Sequence, residues 1–386
     1  MTKYHSIKIS NEKIVPPNLL LIILLLLPAV SLQVGCATST TTKPSAINGK
    51  PLSDKYVQMV QDPDQRTQLR TEAVEYLKKM TESSYAGYRA NAIEALADEP
   101  TIGEEVARTG LLDDNPGVRF TSAMIIGTHQ FSNSAPLVHA LLKDDNGSVR
   151  IDAIFALARN GIKTNITLLA DYLNSNNLTE RSNAALALGE LGDPSAIQML
   201  REALNDTNPR ATVAEQRLSD LQIAEAMVKL GDDEAISRIR AQLRGASPED
   251  GEAAALAATI LGNLNAKIYQ RDLVNMVAAW KEFRNSAEVR LAAVGALVKM
   301  GQNMPIDIPL EYFSKQYTDT FPSEFMAVRE QATYTLGLIA TPDALAQIAN
   351  IYHETSEESV RLQAAAALIS IISAEESPGI NTEIGE

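Results

Sequence analysis

The chain has 386 residues, with 48 acidic against 34 basic side chains, a net charge of −14 and a single cysteine. A body this acidic repels polyphosphate backbones and anionic headgroups, which argues against nucleic acid as a partner. One thiol offers no internal disulfide, so an oxidising compartment adds no covalent staple.

Lys3, Lys8 and Lys13 precede an apolar run over 19–32, which ends in Gln33-Val34-Gly35-Cys36. About 14 apolar residues interrupted by Pro28 fall short of the roughly 20 that span a bilayer, but they suit the core of a secretory signal. The cysteine stands where a cleavage site should fall, and the segment resembles the lipobox of bacterial lipoproteins. That resemblance implies removal of residues 1–35 and acylation of Cys36, a membrane attachment made by lipid alone. With Ala37 next in line, it also implies the outer membrane, with the body facing the periplasm. A cleaved ordinary signal and an uncleaved membrane helix are the other readings of this segment. Residues 36–54, rich in Thr, Ser and Pro, read as a flexible tether. Leu69, Ala73, Tyr76 and Leu77 share one face of a helix predicted over 66–80, and residues 55–83 are expected to form an N-terminal helical cap.

From residue 84 to 372 one block recurs. Its anchors are Arg89, Arg119, Arg150, Arg181, Arg290, Arg329 and Arg361, with weaker copies at Asp220 and Gly251, and the intervals run from 30 to 39 residues. With the anchor as position 0, position +3 is mostly small (Ala92, Ala153, Ala184, Ala332, Ala364) and position +7 mostly large (Leu96, Ile126, Leu157, Leu297, Leu368). Such spacing at a period near 31 means stacked helix pairs. Asp144-Asp145-Asn146-Gly147 breaks one helix and Ser148 is expected to cap the next, while Gly192 and Gly231 suit left-handed helix ends. Longer units place extra residues over 205–217, 263–287 and 303–323. A single unit cannot bury its own apolar face, so about nine pairs should stack into an elongated all-α solenoid. Residues 373–386, with Pro378, Gly379 and four Glu, are expected to fray.

The runs Asp144-Asp145-Asn146-Gly147-Ser148-Val149-Arg150 and Arg181-Ser182-Asn183-Ala184-Ala185-Leu186 resemble the short HEAT-like repeats found in phycobilisome lyases. The resemblance covers 84–372 and implies an α-α superhelix of the HEAT/armadillo type. It is nearly silent on activity, because such arrays serve as scaffolds, adaptors and occasionally enzymes. A bilin-lyase-like enzyme is what the resemblance alone would propose, and the lipoprotein signal argues against its cytoplasmic setting.

The residues themselves carry little chemistry. His129, His139 and His353 have no metal-ligand spacing, and no phosphate loop or nucleophile elbow is present, so no catalytic residue, cofactor or metal is expected. The repeated Arg either forms a basic ladder or bonds the Asp-rich turns beside it. At position +5, Met124, Phe155 and Leu186 either form an apolar strip on the inner curve, a groove for a protein partner, or pack between repeats. The expectation is a lipid-anchored envelope scaffold that binds protein, with a receptor for a peptide or small ligand in the concave face as the alternative.

Overall fold

The computed structural model describes residues 52–243, 250–278, 287–314 and 325–376. The expected signal, Cys36, the tether up to residue 51 and the tail from 377 lie outside the described residues.

Every regular element among them is helical. α1 (Asp54–Gln61) and α2 (Pro63–Met80) come first, followed by α3 (Ala86–Ala95), α4 (Gly103–Gly110) and α5 (Pro116–Thr128). A 3-10 helix (Ala135–Lys143) leads to α6 (Gly147–Arg159), α7 (Leu168–Leu173), α8 (Leu178–Leu191), α9 (Ile197–Asn205) and α10 (Val213–Lys229). Then come α11 (Ile236–Gln242), α12 (Gly251–Asn263), α13 (Gln270–Ala278), α14 (Ala287–Lys299) and α15 (Asp307–Leu310). The last three are α16 (Phe325–Ile339), α17 (Pro342–Glu354) and α18 (Glu358–Glu376). The repeated block lies on α3, α5, α6, α8, α10, α12, α14, α16 and α18, each packed on the next, and the intervening helices form an outer layer. The fold is thus an all-α superhelix of stacked pairs.

Helix ends set the register. A residue with positive φ closes seven inner helices: Gln130, Gly161, Gly192, Gly231, Asn265, Gly301 and Ala340. At five of these ends the chain reverses through a Schellman turn, in which Ile162 N–H donates to Leu157 C=O (2.9 Å), Asp232 to Met227 (2.9 Å) and Gln302 to Leu297 (2.9 Å), whereas Gly192 and Ala340 N–H donate to Leu188 and Leu336 C=O (3.3 and 3.1 Å). In six repeats this residue is the eleventh after the anchor. Asn265 is the eleventh after Ala254, and Ala266 N–H donates to Leu261 C=O at 3.0 Å. The anchor of α12 is therefore Ala254 rather than Gly251. With that correction position +3 is 0 % exposed in all nine repeats, from Ala92 through Ala257 to Ala364, and position +7 is buried throughout.

The turns explain the arginines. Asn115 accepts from Gly117 N–H (2.8 Å) and Asn146 from Ser148 N–H (2.9 Å), so Asn146 caps α6 in place of the expected Ser148. Two residues before each Asn, Asp113 and Asp144 take the guanidinium of the preceding repeat, Arg89 at 2.6 and 2.7 Å and Arg119 at 2.7 and 2.9 Å. Arg119 also donates back to the Asp113 and Asp114 carbonyls (2.8 and 3.0 Å). Each Arg is a strut from its own turn to the next one. Burial pushes the Asp144 carboxyl up, but the Arg119 guanidinium and Asn146 N–H outweigh it and hold the group below its ordinary range. Where Ser175 replaces the Asp, Arg150 bonds the Tyr172 hydroxyl instead, at 2.6 Å.

The stack does not stay open. α1 packs on α17 and α2 on α18, so the two ends of the array meet. Leu69, Ala73 and Leu77 share one core with Leu345, Ile348 and Leu368. Polar bonds line the seam: Tyr56 Oη donates to Glu354 Oε1 (2.6 Å), Tyr76 Oη to Glu358 Oε1 (2.9 Å), and Arg66 to Glu375 (2.7 Å). Arg70 bridges Ser373 Oγ (2.8 Å) and the Glu99 carboxylate (2.7 and 2.9 Å). The expected fraying from residue 373 is corrected accordingly: α18 runs on to Glu376 because the α2 side chains hold its last turn.

Candidate functional site

On a helix of 3.6 residues per turn, positions +2, +5 and +9 fall on one side, opposite +3 and +7. That side is the inner face of the array. It carries the residues on which the sequence placed a protein-binding strip, and they do not form one. Phe155 is 1 % exposed and Met124 7 %, both in one core, and the half-buried Leu186 packs against that core. The reason is close approach: a Cβ added at Gly127 would meet Phe155 Cε1 at 2.5 Å and Ala156 Cα at 2.9 Å. Phe155 lies over the helix before it and is not free to receive a partner.

The same inner face holds acidic groups out of water. Asp152 is 0 % exposed with neither carboxylate oxygen hydrogen-bonded, and burial raises its pKa well above the ordinary value. Glu94 is likewise raised by burial. On α10, Lys229 has partners: its Nζ contacts Glu190 (2.7 Å) and Glu225 (2.9 Å), and although burial lowers it, the two carboxylates lift it to about 12.

Farther along, the inner face is not filled. Position +5 changes from Phe155 and Leu186 to Thr259 and Gly295, and a cavity of about 20 Å³, room for about one water, lies between α12, α14 and α16. Lys299, Gln331, Tyr334 and Thr335 line it beside Leu291 and Leu338. The Tyr334 hydroxyl is buried without a hydrogen-bond partner, and its pKa is raised by burial first and then by Glu94. Lys299 donates to Asn263 Oδ1 at 2.6 Å, and burial lowers it to about 8. Sequence reading passed over Lys299. The signal available was a glycine at +5 in a helix interior, where Met124, Phe155, Leu186 and Tyr334 carry large side chains.

Each remaining candidate has a structural place. The anchor arginines are committed to turns, which accounts for them without an anionic ligand. His139 is exposed, His129 lies 3.6 Å from Asp98, and His353 stacks on Tyr56. Among the described residues no group of three or more His, Cys, Asp or Glu could hold a metal ion, and no helix is long and apolar enough to cross a membrane. Cys36 lies outside the described residues.

Sequence comparison with curated proteins returns no match. Among solved structures the chain is similar to the complex of CpcE and CpcF of phycocyanin lyase from Nostoc sp. PCC7120, at 19% identity over 70% of this chain and 96% of that one, with a TM-score of 0.36. An engineered protein is similar at 18% identity over 82% of this chain and 98% of that one, with a TM-score of 0.28. Kap121p is similar at 13% identity over 82% of this chain and 46% of that one, with a TM-score of 0.32. Likeness at this level carries no functional argument. Residues 134–219 match the family described as HEAT repeats, and the same helix pairs continue on both sides of that stretch, so the described array is HEAT-like.

Proposed function

We propose that the protein is a non-catalytic binding scaffold, carried on a lipid at Cys36 and facing the periplasm from the outer membrane. The observation that supports protein binding is on the outer layer. Leu137, Ile166, Leu168 and Met199 are 52, 43, 42 and 36 % exposed, and they sit on or just before three successive outer helices. Large apolar side chains left in water on successive outer helices of an acidic body are what a protein partner would bury. Crosslinking in the native envelope tests this: Leu137→Glu together with Leu168→Glu should abolish a reproducible protein adduct while leaving the fold intact. An adduct that persists in the double variant would overturn the outer-face reading. Labelling with a fatty-acid probe tests the anchor, since Cys36→Ala should lose all label and retention would refute it.

A further inference from the structure

The two rims of the array are built differently. On one, inner helices end and the chain turns at a left-handed residue, from Gln130 to Ala340. On the other, outer helices lead into inner ones through connections of unequal length: α7 ends at Leu173 and α8 starts at Leu178, whereas α9 ends at Asn205 and α10 starts only at Val213. In stacked repeats the rim that takes the insertions is commonly the one that meets a partner.

At the seam the inner helices begin on one level. Tyr76, a turn before the end of α2, bonds Glu358 at the start of α18 (2.9 Å), and Arg66, near the start of α2, bonds Glu375 near the end of α18 (2.7 Å). α2 and α18 therefore run antiparallel, and α3, which follows α2, starts on the same side as α18.

That rim holds large apolar side chains in water. Tyr85 precedes α3 and is 62 % exposed, Leu112 lies in the turn before α5 (89 %), Val213 opens α10 (68 %) and Met326 lies in the first turn of α16 (44 %). Exposed Lys78, Lys79, Arg108 and Lys143 end outer helices on the same rim and offset acids such as Asp114 and Asp145. Among the described residues the opposite rim exposes Asp98, Asp193, Asp233, Glu234, Asp307 and Asp343 against Arg159, Lys163 and Lys267.

The chain also enters on the first rim. Tyr56 in α1 bonds Glu354, the last residue of α17 (2.6 Å), and α1 then runs to the far rim, where α2 starts. Residues 36–51 are all that separates Cys36 from that entry, a length that spans at most roughly 58 Å at about 3.6 Å per residue. A lipid held at Cys36 brings the membrane to this rim first, and the opposite rim could meet it only if the whole body turned over.

We infer that the rim on which the inner helices begin lies on a lipid surface, with Tyr85, Leu112, Val213 and Met326 dipped among the headgroups and the acidic rim turned to water. Apolar tips gain by leaving water at a bilayer interface. Lysine and arginine lay their apolar stems there and keep the charged end at the headgroups. Anionic headgroups repel carboxylates, so the more acidic rim faces away. The inference rests on the lipid anchor proposed above, and it leaves the outer helices free at the sides for a protein partner.

The test uses the full chain with its native anchor on vesicles of phosphatidylethanolamine and a minor share of phosphatidylglycerol, with a spin label on the acyl chains as quencher. A nitrobenzoxadiazole label is attached at Leu112→Cys or Val213→Cys, and at Ile268→Cys on the opposite rim as reference. All three positions are exposed, so the fold is kept, and a circular-dichroism melt verifies it. Wild type is the labelling blank, since an acylated Cys36 has no free thiol. Labels on the first two should be quenched at least about threefold more than the third, and Val213→Glu with Met326→Glu should lower quenching at Leu112→Cys about twofold. Equal quenching on both rims, or none on either, in protein that floats with the vesicles would overturn the inference and leave the anchor standing. Protein that does not float would overturn both. A label at Leu112→Cys that is shielded in whole envelopes but not on protein-free vesicles would assign the rim to a protein partner and overturn the lipid one.

Discussion

Phe155 shows how burial decides between two uses of one side chain. A Phe on an inner curve reads as a hot spot until the helix before it is found to approach within touching distance at Gly127. Phe155→Glu should therefore unfold the array rather than silence a partner, at a cost of at least about 3 to 5 kcal/mol. A chemical melt checks it, and a wild-type midpoint with normal helicity would return the residue to the surface. Asp152 makes a sharper case, because its burial has a sign. Its folded pKa is raised, so the folded state holds the proton more tightly than the unfolded chain. That contribution to stability is full below the ordinary value of about 3.9 and is lost as pH rises above it. Asp152→Asn, a permanently neutral side chain of the same shape, should raise stability at neutral pH by about 1 to 3 kcal/mol and flatten the loss between acid and neutral pH. Glu94 acts in the same direction, so part of that slope should persist. A variant less stable than wild type at neutral pH would show that the carboxylate has a counter-group.

Seven inner helices end through the same left-handed residue, which four times is glycine and three times is not. Ala340 holds φ 51 with no side-chain amide or hydroxyl to bond locally, so Ala340→Gly relieves strain that glycine does not feel. The expected gain is several tenths to about 1 kcal/mol, read as a higher denaturation midpoint. A lower midpoint would mean that the flexibility added to the unfolded chain outweighs the relief. The arginine struts are a second repeated element. Arg89 and Arg119 tie consecutive turns because each next turn opens on an Asp at the right place, and the strut changes partner where Ser175 stands instead. Neighbouring repeats are thus coupled by polar bonds as well as by apolar packing.

At the scale of the whole molecule, closure changes what the array is. An open solenoid needs terminal repeats with a polar outer face. Here the first helix pair and the last bury one another, through Leu69, Ala73 and Leu77 against Leu345, Ile348 and Leu368, so neither end is bare. Contacts between residues about 300 positions apart link the stability of the first helices to that of the last. Leu77→Asp should unseat α2 and raise amide exchange in α17 and α18, far away in sequence, as well as in α2 itself. Exchange that rises in α2 alone would mean that the ends merely touch.

Helix pairs, their small and large buried positions and the strut arginines were legible from residue order, because they depend on contacts within a unit and with the next one, and those repeat every 30 to 39 residues. The anchor of α12 was misread by three residues because Gly251 and Ala254 are both small and no Arg marks the site, and only the left-handed Asn265 tells them apart. The inner strip, the cavity beside Lys299 and the meeting of the ends depend on how slight rotations between repeats accumulate over the whole stack. Such a sum belongs to no single residue or spacing, so it took the folded chain to decide which inner side chains are covered, which are left without a partner, and that the last helix returns to the first.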